Sequence, residues 1–132
     1  MYQHVSIDRF LDAFEHARNI SERVRNNTDE HTAIHYVGGR AYLTADSLSG
    51  YVVMDNGELI SVFNVGEKGR GQQLLHSAVA RGATWLNCYD GFLSSFYGRF
   101  GFVETNRVAN FTPGGPDVLY MEIPGFGPLG DM

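Results

Sequence analysis

Segments with helical spacing on either side of an uninterrupted all-β stretch predict a mixed α+β fold, not a doubly wound parallel one. The first observation is the spacing of Phe10, Leu11, Phe14 and Ala17, followed by three strand-like segments between residues 41 and 65. The second is Asp55-Asn56-Gly57 between two of those strands, a strong hairpin signal. The third is the return of helical spacing at Leu74, Leu75, Ala78 and Val79.

Taken in order, residues 2–7 read as a short strand, and an amphipathic helix follows from Asp8, with Ser6 or Asp8 as its cap. Residues 19–39 allow one or two short helices, interrupted near Asn26-Asn27-Thr28-Asp29 and stopped by Gly38-Gly39. Strands are expected at 41–45, 51–54 and 59–65, with a turn over 46–49. Asn-Gly accepts the positive φ of a type I′ turn, which is the turn expected at residues 56 and 57. A helix over 71–81 ends near Gly82, a buried strand covers 84–89, and a short aromatic helix covers 92–100. Two closing strands, 102–111 and 118–123, flank Pro113-Gly114-Gly115-Pro116. The tail from Pro124 to Met132, rich in Gly and Pro, is expected to be loosely held.

With no linker or repeat, the 132 residues read as one domain, and 43% hydrophobic residues suffice for a core. The lone Cys88 excludes an internal disulfide framework and a Cys-rich zinc module. No run reaches the roughly 20 apolar residues that a membrane span needs, and the first six residues lack signal-peptide character. A cytoplasmic protein is expected. Ten Lys and Arg against 15 Asp and Glu argue against broad nucleic-acid binding, although Arg18, Arg23 and Arg25 leave room for a local basic patch.

Two stretches carry chemistry. Gly66-Glu67-Lys68-Gly69-Arg70-Gly71-Gln72-Gln73 joins a strand to a helix. Glycines there let the backbone approach a ligand, and the helix N-terminus adds partial positive charge, a combination suited to a pyrophosphate. A Walker loop is excluded because no Gly-Lys-Ser/Thr is present, and Leu74 replaces the third glycine of the dinucleotide fingerprint. The same glycines would also serve a plain tight turn. The second stretch, residues 90–102, places Tyr97 on a short helix among Phe92, Phe96, Phe100 and Phe102. Its hydroxyl could act as a general acid, or the ring could simply fill a core.

Together these stretches resemble the GNAT family of N-acetyltransferases, over roughly residues 40–123. That family carries a Gln/Arg-x-x-Gly-x-Gly/Ala loop after its fourth strand, cradling the coenzyme A pyrophosphate; here the pattern falls on Gly66–Gly71. Its later motif, an Asn, a small residue, a Tyr and then Gly-Phe, falls on Asp90, Leu93, Tyr97, Gly101 and Phe102 with the spacing intact. Gly50-Tyr51 looks like the start of its third strand. Gly66 stands where Gln or Arg is usual, Arg70 where an apolar residue is usual, and Asp90 where Asn is usual.

The resemblance implies a single GNAT-like domain with a mixed, mostly antiparallel sheet flanked by helices. It implies acetyl transfer from acetyl-CoA to a primary amine of a small molecule or protein, by direct attack. Phe63 and Val65 would lie along the pantetheine arm, with Lys68, Gly69, Arg70, Gly71, Gln72 and Asp90 at the cofactor. Arg70 would either pair with a phosphate or be solvated. Tyr97 would protonate the leaving thiolate, and Glu58 is the candidate base, unless it is a solvated turn carboxylate. The alternative is a GNAT-like protein that has lost catalysis and works through protein contacts. The oligomeric state stays open, a homodimer included. No metal is called for: His31 and His35, four apart, supply half a site at most. Cys88 reads as core.

Overall fold

The computed structural model describes residues 1–124, so the tail beyond Pro124 lies outside the described residues. The chain divides into two compact units, Met1–Ala83 and the residues from Thr84 on.

The first unit is a four-stranded antiparallel sheet, ordered β1-β2-β3-β4, with helices on both faces. Its strands are β1 (Tyr2–Val5), β2 (Arg40–Thr44), β3 (Ser49–Val53) and β4 (Leu59–Asn64). Helix α1 (Ile7–Ile20) is capped by Ser6, whose Oγ accepts from Arg9 N, which decides between the two expected caps. Of the stripe read from the sequence, Phe10, Phe14 and Ala17 are buried and Leu11 is partly buried at the core's margin, while Ala13 is buried as well. Phe10 and Phe14 meet Phe63 of β4 at ring-centroid distances of 5.8 and 5.7 Å. Ala41, Leu43 and Val52 complete that core. The opposite face carries Tyr42 and Tyr51, stacked at 5.2 Å, and the Tyr51 hydroxyl is hydrogen-bonded to Ser77 of α3 (Arg70–Ala80). Covered on both sides, all five residues of β3 are buried.

The ambiguous stretch becomes α2 (Glu22–Asn27), capped by Ser21, and a 3₁₀ turn at Ala33–Tyr36. Each arginine of the possible patch donates to a backbone carbonyl, which leaves its charge in place. Arg18 donates to Thr28 O, Arg25 to Arg18 O and Arg23 to Asn64 O.

One turn differs from its expected type. Gly57 has φ +88° but Asn56 does not have positive φ, and Gly57 N donates to Met54 O. This is a type I turn closed by a left-handed glycine, the three-residue hairpin, rather than a type I′ turn. Asn56 Oδ1 accepts from Glu58 N, so the asparagine braces the turn through its side chain. Strand β3 also starts two residues earlier than expected, because Asp46 Oδ1 accepts from Leu48 N and tightens the preceding turn.

The second unit is a three-stranded antiparallel sheet, ordered β5-β7-β6: β5 (Trp85–Tyr89), β6 (Val103–Val108) and β7 (Val118–Glu122). Helix α4 (Phe92–Arg99) follows β5. Leu86, Cys88, Tyr97, Phe102, Leu119 and Met121 are its buried residues. Burial pushes the Cys88 thiol up to about 11, which fits the core reading.

Candidate active site

In the first unit the site is one continuous stretch: β4, its following loop and the start of α3. Midway along β4 the pairing with β3 shifts register between Gly50 and Val52. Opposite the shift, Ser61 has a left-handed φ of 55°, so β4 carries a β-bulge. A bulge leaves a residue outside the ladder and re-aims the strand. The Tyr36 hydroxyl lies 2.7 Å from Ser61 Oγ and ties the 3₁₀ turn to this point. Sequence reasoning missed the bulge, because neither glycine nor proline marks it.

Beyond the bulge Phe63 is 2% exposed and its ring belongs to the core, so only its backbone is available to a ligand. Val65 packs at the margin of the same core, and its N–H donates to Leu48 O at 2.7 Å. The Asn64 side chain shapes the loop: Oδ1 accepts from Gly66 N at 3.0 Å, and Nδ2 donates to Glu67 O at 2.9 Å. Lys68 and Gly69 are exposed at the loop's tip. Gly69 is the N-cap of α3, with φ +90°, a left-handed conformation costly for any residue with a Cβ. No side chain caps this helix and its first turn holds no acidic residue. The first-turn N–H groups, at Arg70, Gly71 and Gln72, therefore have neither an intrahelical partner nor a side-chain cap. N–H groups at a helix start, together with the helix dipole, make up the kind of cradle that suits an anion.

Arg70 is engaged by a carboxylate of its own chain. Its Nη1 and Nη2 donate to Asp46 Oδ1 and Oδ2 at 3.1 and 2.7 Å, a two-pronged pair with a carboxylate in the β2–β3 turn. Asp46 Oδ1 also accepts from Thr44 Oγ1 at 2.7 Å and from Leu48 N at 3.0 Å. The Arg70 guanidinium, with those two donors behind it, holds the Asp46 carboxyl well below the usual range.

Glu58 lies at the other end of β4. It is half-buried rather than solvated, and burial raises its pKa against an opposing pull from His35. His35 stacks on His31 with centroids 3.9 Å apart and rings within 6° of parallel. Among the described residues no group of three or more His, Cys, Asp or Glu could hold a metal ion.

Tyr97 and Asp90 belong to the second unit. Tyr97 is 6% exposed, edge-on to Phe96 and Phe102 at 5.6 and 5.9 Å. Burial drives its pKa upward, so the phenol keeps its proton at any physiological pH. Asp90 is exposed, and its Oδ2 accepts from Arg107 Nη1 at 2.9 Å, which lowers its pKa. Arg107 also pairs with Glu104 and Asp117. Sequence reasoning missed both arginine–carboxylate pairings, because Asp46 and Arg107 lie 24 and 17 residues from their partners.

The sequence matches no family model and no curated protein. Solved structures do match. A protein of Klebsiella pneumoniae assigned as an acyl-CoA N-acyltransferase aligns with a TM-score of 0.59 at 16% identity, over 92% of this chain and 94% of that one. An N-acyl amino acid synthase from uncultured soil microbes aligns with a TM-score of 0.60 at 9% identity, over 98% of each chain. A GNAT-family acetyltransferase of Staphylococcus aureus aligns with a TM-score of 0.53 at 15% identity, over 93% and 98%. At these identities the likeness is one of fold, and the chain has the GNAT fold.

Proposed function

We propose that this chain is an N-acyltransferase that moves an acetyl group from acetyl-CoA to a primary amine of a small molecule or protein. The observation that carries the reading is the uncapped N-terminus of α3 behind left-handed Gly69, directly after a bulged β4. A pyrophosphate fits that cradle: it accepts from first-turn N–H groups, and Lys68 supplies a cation at the tip. The acyl-CoA supplies an activated thioester.

The roles of the chain's own residues follow. A backbone N–H of β4 near the bulge receives the developing oxyanion. Phe63 and Val65 contribute to the pantetheine arm through backbone, since their side chains face the core. Glu58 takes the proton of the ammonium, directly or through water, and burial, which raises its pKa, makes it a stronger base than an exposed glutamate. Tyr97 returns a proton to the leaving thiolate. Asp90 would stand at the cofactor's edge with its charge only partly offset, since Arg107 is shared among Asp90, Glu104 and Asp117. No helix among the described residues is long and apolar enough to cross a membrane, and the reading places the enzyme in the cytoplasm as one domain.

A second reading, a GNAT-like protein that binds partners without catalysis, draws support from Arg70. Its engagement with Asp46 leaves Lys68 as the loop's cation. Isothermal titration with acetyl-CoA decides between the two. Saturable binding supports the enzyme, and no heat at millimolar ligand removes it.

A further inference from the structure

The loop's two least usual residues occupy one another's space. A Cβ built on Gly66 would lie 2.6 Å from Arg70 Nη1, 3.0 Å from Arg70 Cζ and 3.2 Å from Leu48 Cβ. The Arg70 guanidinium thus folds back across position 66, and a side chain there would have to displace it. The guanidinium's other side is held by both oxygens of Asp46, whose geometry is fixed by Thr44 Oγ1 and Leu48 N. Three elements meet here: the β2–β3 turn, the loop after β4 and the first residue of α3.

We infer that Arg70 and Asp46 form a clasp over Gly66 that braces the cradle and cancels the Asp46 charge beside it, making Arg70 a positioning residue and not a phosphate ligand. The inference rests on the coenzyme reading above. An acidic side chain beside an anion cradle would repel a polyanion. The clasp removes that repulsion while spending the arginine, so phosphate contacts fall to the α3 N–H groups and Lys68. It also fastens the α3 N-terminus to the sheet, which keeps the cradle's donors aimed in one direction.

A double-mutant cycle, read by acetyl-CoA titration at low salt, tests the charge role. Arg70→Ala, which bares Asp46, weakens binding about tenfold, and adding Asp46→Ala recovers it to within about threefold of wild type. The wild-type advantage over Arg70→Ala shrinks as salt rises, a response that loosened packing would not give. A double variant as weak as Arg70→Ala means that the bared Asp46 charge is not what weakens binding, and overturns the inference. An Arg70→Ala variant that binds like wild type also overturns it. Thermal melting tests the clasp without ligand. Gly66→Ala lowers Tm in the wild-type background and lowers it less beside Arg70→Ala; equal losses in both would contradict the shared space. If wild type does not bind acetyl-CoA, the coenzyme reading fails and the melting cycle alone decides whether the clasp exists.

Discussion

At residue scale, burial sets the chemistry of the two proposed proton carriers in the same direction and to different ends. The Tyr97 phenol stays protonated but becomes a weaker acid than an exposed tyrosine, while half-buried Glu58 becomes a stronger base than an exposed glutamate. Tyr97→Phe should lower kcat by about 10²-fold or more, with acetyl-CoA affinity within about twofold of wild type, since the ring and its packing remain. An equal loss of both would contradict the acid role. For Glu58 the active form is the carboxylate, so kcat/KM should rise with pH through a pKa above the ordinary glutamate value. Glu58→Gln should flatten that limb. Asp46 works in the opposite sense. Its folded pKa is depressed by Arg70, so its stabilising effect is full above the ordinary value of 3.8 and fades as pH falls toward the depressed one. Melting temperatures of wild type and Asp46→Asn should therefore differ at neutral pH and converge in acid. The spacing of Tyr97 was legible in the sequence. The Arg70–Asp46 pair was not, because nothing local in residues 66–72 says that a turn 24 residues earlier holds a carboxylate.

At the scale of elements, periodicity carried most of the fold. The stripe of α1 and the Leu74, Leu75 and Ala78 face of α3 are buried as their spacing requires. The hairpin at Asn56-Gly57 was legible in place but not in type, since one positive φ and an asparagine side-chain bond replaced the expected pair of positive φ values. The bulge in β4 was illegible: Ser61 sits in the left-handed region, and the Tyr36–Ser61 contact that accompanies it is tertiary. Gly69 is the element-scale test of the cradle. Gly69→Ala meets no neighbouring atom, so its cost is conformational, about 1–2 kcal/mol for forcing a Cβ into that φ. A Tm drop of a few degrees together with weaker acetyl-CoA binding is expected. Unchanged binding would separate the loop conformation from the cofactor. Phe63→Ala should instead cost about 3–5 kcal/mol by leaving a cavity where its ring packs against Phe10 and Phe14. Denaturant unfolding would measure it.

On the scale of the whole molecule, each unit is an antiparallel sheet with helical cover, and each carries part of the proposed machinery. The cradle, the bulge and Glu58 lie in the first, and Tyr97 with Asp90 in the second. The sequence showed both motifs in their order and spacing, so the fold could be read from one chain although identity to its solved neighbours is 9–16%. Composition pointed to two cations at the cradle, Lys68 and Arg70, where the structure leaves one unspent by an ion pair among the described residues. The central claim is that the uncapped α3 N-terminus binds the pyrophosphate of acetyl-CoA. Isothermal titration of the purified chain with acetyl-CoA tests it most directly. Saturable binding of one ligand per chain, weaker in Gly69→Ala, is expected; absence of heat up to millimolar acetyl-CoA would rule the pyrophosphate site out.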